Sequence, residues 1–354
     1  MIQTTHAQDE IIFRKHLVNS GINGFFYGVA IDIIASASDE SAIGIPILAA
    51  GTSVLIPLLV NSSKAITPNS LVLSAHGKFI GWAHGFALAT LLGGENAWIG
   101  PDNYKFTIAL GAVSSISLGA LGNSLGKSNS WTEGQVALYR HYGWSMPFTG
   151  VSIMASISDE PRLLAASDLI FGAGGYILAD KVYRNYQYTR GDVRAIQVLT
   201  IMTGGLGYGL IVDKASSRSD ILLPALGVLS GTIVSQLMVK NVNLTPKQGL
   251  QTAYAATGGA IFGLGITLIA GFDNATPYYV IPYITGVGAY TIILESMRKK
   301  NQTKEIVEDH SKSKWAVAFM PQNIFLNKRI SNSGYLVNGR YVSMQPLVAA
   351  SFRF

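Results

Sequence analysis

Residues 245–274 read TPKQGLQTAYAATGGAIFGLGITLIAGFDN. Thr245 followed by Pro246 is a helix N-cap with a suitable first turn. Leu250–Phe272 then runs without a charge, and Asp273-Asn274 closes the stretch as a polar turn. Gly259 and Gly263 stand four residues apart, a spacing that puts them on one helical face. Strict apolar/polar alternation is weak and the segment is too long for an ordinary strand, so its period predicts a helix.

The same order recurs on both sides. Aligned on Glu10, Thr67, Thr132, Thr189 and Thr245, the chain repeats in steps of 57, 65, 57 and 56 residues, and Thr303 follows at a step of 58. Eighteen residues after each of the first five anchors stands a glycine: Gly28, Gly85, Gly150, Gly207 and Gly263. Polar, acidic turns lie near residues 39, 96, 159, 217 and 273, each followed by a second apolar segment that ends in a basic linker. Periods of this length mark stacked supersecondary units, each too small to bury its own apolar face. The expected fold is all-α: five tandem glycine-rich α-hairpin repeats, about ten helices, over residues 1–300. The five aligned glycines are expected at helix contacts. Pro46, Pro57, Pro147, Pro224 and Pro282 imply kinked or broken helices.

Only 13% of the 354 residues are charged, against about 25% in ordinary soluble domains. The 38 glycines also exceed the usual share of about 7%. No cysteine is present, which excludes disulfides, thiolate catalysis and zinc–thiolate sites. The net charge of +6 is thinly spread and makes no basic face for nucleic acid. Arg14, Lys15 and His16 precede an apolar stretch, but Asn23 and Asp32 interrupt it and it fits the repeat better than a signal peptide; Ala7-Gln8 would suit a processed remnant.

Ala42–Val60, Phe106–Gly126, Ile221–Val239, Leu250–Phe272 and Thr276–Leu294 are long enough, at about twenty residues, to cross a bilayer core of about 30 Å. Glycines four apart allow close helix approach in lipid. Lysine and arginine gather at the anchor ends and acids at the turns, an asymmetry that would orient all anchors to one side. Polar groups at depth favour two other readings, a soluble envelope-associated solenoid and an outer-membrane β-barrel.

The tail differs. Residues 301–314 are polar and charged and read as a linker, and residues 315–354 as a small β-hairpin element. Trp315–Met320 and Gly334–Val337 have strand character, Asn338-Gly339 is a strong type I′ turn signal, and Arg340–Val342 returns. At the end, Val348, Ala350, Phe352 and Phe354 alternate on one face. These nine or so residues, with an aromatic at the last position and another two before it, resemble the terminal strand of bacterial outer-membrane proteins. The resemblance implies an outer-membrane address or recognition by that membrane's assembly machinery. The helical repeat departs from the barrel pattern of that family.

Several motifs carry possible chemistry. Gly119–Ser128 contains Gly126-Lys127-Ser128, but the preceding glycine, Gly122, is one residue too near for a phosphate loop. The glycines of 172–175 and 204–209 fit helix contact better than a dinucleotide fingerprint. His76 and His84 lie eight apart near one helical face and are read as polar packing between neighbouring hairpins; the alternative is a metal or proton site shared with His141, which Lys78 beside them disfavours for a cation. Asp32, Lys78, Arg140 and Asp168 are costly in lipid unless paired or wet, so they are read as interhelix partners or a polar path. No nucleophile-elbow context and no paired-carboxylate cleft is evident. The expectation is therefore a non-enzymatic structural or scaffold subunit of a bacterial envelope assembly. It needs no cofactor, metal or catalytic residue, its membrane is more readily the outer than the inner, and its partners are lipid and other envelope proteins. Phe352 and Phe354 would dock by strand addition. The rival is a transporter or channel subunit with a polar path between repeats.

Overall fold

The structure is a computed structural model that describes residues 2–36, 41–59, 66–128, 131–213, 217–306, 314–319, 336–337, 340–341 and 348–353. Two units are distinguished, Met1–Asn301 and Gln302–Phe354.

The first unit is helical. Its ten helices among the described residues are α1 (Ile2–Ala35), α2 (Ser41–Leu59), α3 (Pro68–Gly93), α4 (Pro101–Ser128), α5 (Glu133–Ile157), α6 (Pro161–Tyr186), α7 (Arg190–Gly209), α8 (Leu222–Val239), α9 (Pro246–Ala270) and α10 (Pro277–Ile306). The helices begin where the sequence supplies a cap. The side chains of Thr67, Thr132, Thr189 and Thr245 accept the N–H of Ser70, Gln135, Asp192 and Gln248 at 3.0, 3.1, 3.1 and 3.2 Å. Each thereby satisfies an N–H that the first turn would leave without a partner. The two outer anchors behave differently. Glu10 lies inside α1 and Thr303 inside α10, so neither is a cap.

Consecutive helices pair as α1/α2, α3/α4, α5/α6 and α7/α8. Helix α9 meets α10 where Gly263 lies against the backbone of Pro282. The first helix of each pair also touches the first helix of the next, and α1, α3 and α5 reach across to α4, α6 and α8. Helix α7 reaches α10 in the same way, where the Tyr208 and Tyr279 rings lie 5.6 Å apart. The turns near 96, 159 and 273 fall between helices, and that near 217 leads into a 3-10 turn at Arg218–Ile221. The turn near residue 39 lies outside the described residues. Pro46, Pro57, Pro147 and Pro282 do not break their helices, and Pro224 sits in the first turn of α8.

The anchor ends are cross-tied. Thr189 Oγ1 donates to Leu244 O at 2.6 Å, Thr67 Oγ1 to Gly126 O at 3.1 Å, and Asn69 Nδ2 to Trp131 O at 2.7 Å. Asp192, 1% exposed, accepts the N–H of Leu244 through Oδ1 and of Thr189 through Oδ2, both at 2.9 Å. Asp192→Ala leaves two backbone donors without an acceptor, and thermal unfolding in detergent is expected to show a loss of about 1–3 kcal/mol. Asp192→Asn, which keeps an acceptor oxygen, is expected to lose less.

The second unit holds four short strands among its described residues. Lys314–Phe319 (β1) pairs antiparallel with Val348–Arg353 (β4), with Trp315 opposite Phe352. Leu336–Val337 (β2) pairs antiparallel with Arg340–Tyr341 (β3). The Asn338-Gly339 turn and Phe354 lie outside the described residues. The polar segment read as a linker from residue 301 begins as helix, because α10 continues to Ile306. Asn301 is held there by its Nδ2, which donates to Val242 O at 2.9 Å.

Candidate functional site

The helix contacts are built on small residues. Gly28, Gly85, Gly150, Gly207 and Gly263 are all buried. A Cβ at Gly28 would sit 2.5 Å from Pro46 Cα, at Gly85 2.6 Å from Gly111 Cα, and at Gly207 2.6 Å from Leu223 C. At Gly150 it would meet Phe171 Cβ at 2.7 Å, and at Gly263 Pro282 Cα at 2.7 Å. Four of the five therefore face backbone of the paired helix, and backbone cannot rotate aside. Gly134 and Gly191, in the first turns of α5 and α7, press instead on the backbone of the next linker, at Tyr188 and Leu244.

Around these contacts the usual arrangement is reversed. Thr200, Thr252, Thr267 and Ser235 are fully buried, whereas Ile269 is 90% and Leu59 82% exposed. Ile43, Phe79, Ile177 and Ile292 are likewise exposed. In water so much exposed aliphatic surface is a liability; against lipid tails it is not. Seven helices among the described residues (α1, α2, α4, α6, α8, α9 and α10) are long and apolar enough to cross a membrane. The other three carry polar groups: His76, Lys78 and His84 on α3, Arg140 and His141 on α5, and Arg190, Asp192 and Arg194 on α7. These are membrane-protein helices, and the readings as a soluble solenoid and as a β-barrel give way to them. Aromatics gather at helix ends: Trp98 with Phe86 and Tyr104 at one, Trp131 with Tyr139, and Tyr186 with Tyr188, at the other. Interfacial belts of Trp and Tyr have this placement.

Within this frame the polar residues find separate partners. His84 Nδ1 lies 2.6 Å from Asp168 Oδ2, with 13% and 14% of the side chains exposed. His76 Nε2 lies 3.1 Å from the Tyr176 hydroxyl. Both pairs join α3 to α6, and glycines open the room for them. A Cβ at Gly172 would sit 2.7 Å from His84 Cε1, and one at Gly143 would strike His76. The alternative arrangement, a site shared with His141, is not formed, because His141 faces the other way. Its Nε2 lies 3.2 Å from Thr232 Oγ1, which lies 3.1 Å from Thr200 Oγ1. No group of three His, Asp or Glu able to hold a metal is found among the described residues. Lys78 is directed away from the histidines, its aliphatic stem lying over Gly119 of α4. Arg140 is exposed, and Asp32 Oδ1 is buried with no hydrogen-bond partner. Tyr176, Thr200 and Thr232 escape sequence reasoning, being ordinary members of apolar segments. The only sequence trace of the His pockets is Gly143 and Gly172, and glycine is frequent throughout this chain.

No protein-family description, curated protein or solved structure matches the chain. The site therefore stands on its own geometry.

Proposed function

We propose that this chain is a non-enzymatic, membrane-embedded structural subunit of a bacterial cell-envelope assembly, built as five tandem hairpins. The observation that carries the reading is the reversed packing: buried glycine, serine and threonine at the helix contacts, with isoleucine, leucine and phenylalanine outside. Glycine-to-backbone contact favours a rigid array over one that rocks between states. The recurring contact order, each first helix with the next pair, supports the tandem reading. The C-terminal segment is the docking element of the proposal. Among the described residues β4 is paired on one edge only, by β1, which leaves the other edge for a partner's strand. The resemblance of that segment to outer-membrane terminal strands favours the outer membrane.

The test is fractionation with carbonate extraction, followed by co-purification. The full chain is expected to stay with the membrane and bring its assembly with it. Deleting Gln345–Phe354 is expected to abolish the association while the helical signal in circular dichroism stays nearly unchanged. A truncated chain that still co-purifies and fractionates like the full one removes the tail from this role. A second reading, as a transporter or channel subunit, is favoured by the His76–Tyr176 and His84–Asp168 pairs along α3, since buried ionisable groups in membrane helices commonly line a path. Flux of protons or ions through proteoliposomes, lost in His84→Ala, would support that reading over the scaffold.

A further inference from the structure

Two cavities meet along α1 and α3. The first, of about 350 Å³, lies near the anchor ends between α1, α3 and α4, and among its lining residues are His16, Asn19, Ser74, Lys78, Asn123 and Lys127. Among the residues whose side chains are described, no aspartate or glutamate lines it and no carboxylate pairs with Lys78 or Lys127. Lys127 stands in the last turn of α4, where it offsets that helix's own dipole. Lys78 has no such offset. It is placed in the cavity by packing: Gly119 has no side chain, so the lysine stem crosses α4 there. Its carbonyl accepts from Ser115 Oγ at 2.7 Å, and Ser115 Oγ lies 2.9 Å from the Tyr27 hydroxyl of α1, which fixes the three helices together at this level.

The second cavity, of about 610 Å³, shares Asn19 with the first and runs between α1 and α3 over Ile22, Phe26, Val29, Phe79 and Trp82. Cations and amide or hydroxyl donors at one end, continued by an apolar groove, have the chemistry of a phosphate head with a hydrocarbon tail. We infer that this surface binds one anionic phospholipid, its phosphate among Lys78, Lys127, His16 and Asn123, and an acyl chain along the groove. Basic pockets between membrane helices near the aqueous interface bind such headgroups. The site does not depend on the scaffold role. It would serve a transporter or a structural subunit equally, and it is not a phosphate loop, since Gly119–Ser128 is continuous helix.

The full chain, purified in detergent and delipidated, is titrated with phosphatidylglycerol, phosphatidylcholine or inorganic phosphate, and bound lipid is read by native mass spectrometry and tryptophan fluorescence, Trp82 being in the groove. Phosphatidylglycerol is expected to bind at least about tenfold more tightly than phosphatidylcholine, in line with two lysines beside one phosphate. The Lys78→Gln/Lys127→Gln variant is expected to lose that preference at unchanged melting temperature, and Lys247→Gln, at another anchor end, to keep it. Asn123→Asp, which places a carboxylate in the pocket, gives an independent test and is expected to weaken binding similarly. Equal affinity for the two lipids overturns the proposal, as does a preference that survives both pocket variants. Inorganic phosphate binding as tightly as phosphatidylglycerol also overturns it, in favour of a free-phosphate site.

Discussion

Gly263→Leu is expected to destabilise the protein by about 1–3 kcal/mol or more, the cost of forcing a side chain into a filled contact. The reason lies in what the new atoms would meet. A Cβ alone comes within 2.7 Å of Pro282 Cα and 2.9 Å of Ile281 O, so α9 and α10 must separate to admit leucine. Separation exposes Gly259, Thr285 and Gly286 on the same interface. The neighbouring Gly258 supplies the control, since nothing lies within 4 Å of a Cβ built there. Gly258→Leu is expected to leave stability unchanged, or to raise it by up to about 1 kcal/mol because leucine is the better helix former. Thermal unfolding of both variants in one detergent makes the comparison. Equal melting temperatures for Gly258→Leu and Gly263→Leu would remove glycine contact as the basis of packing.

Asp168→Ala is expected to cost about 1–3 kcal/mol, because it strands the largely enclosed His84 ring without its partner. Asp168→Asn keeps an acceptor at the same place and is expected to recover most of the loss. His84→Ala in the Asp168→Ala background is expected to restore part of the stability, since a missing pair costs less than half a pair. If the double variant loses the sum of what Asp168→Ala and His84→Ala lose singly, the two side chains do not interact and this pair does not hold the α3/α6 junction.

How much of this could be read from the chain follows from how local each signal is. Thr67, Thr132, Thr189 and Thr245 announce their helices because a cap acts within three residues. Glu10 and Thr303 show the limit of the alignment: the period reaches them, but neither caps a helix, and both lie within helices already running. The glycine positions were legible through their spacing. The reasons for them were not, because Gly207 faces Leu223 and Gly143 faces His76, partners in other helices. The polar pairs were least legible. His84 and Asp168 are 84 residues apart and His76 and Tyr176 are 100 apart, so only the order of helices brings them together. Composition alone also left soluble and membrane solenoids open. What separates them is the direction of Ile177, Ile261 and Ile292, which lie on outward faces, while Ser167 of the Ile177 helix and Thr252 and Thr267 of the Ile261 helix turn in.

The central claim is that the array lies in a membrane with its anchors on one side and its turns on the other. The chain has no cysteine, so single cysteines can be placed without altering a background. Gln187 and Lys247 mark the anchors, Asp159 and Asn274 the turns, and Ile177, Ile261 and Ile292 the outward faces at mid-helix. Cysteines at these positions would be challenged with a membrane-impermeant maleimide in sealed vesicles of each orientation. The account predicts that anchor positions label from one side only, turn positions from the opposite side only, and mid-helix positions from neither until detergent is added. Ready labelling of Ile177→Cys and Ile261→Cys in intact vesicles, or labelling of anchors and turns from the same side, would contradict it.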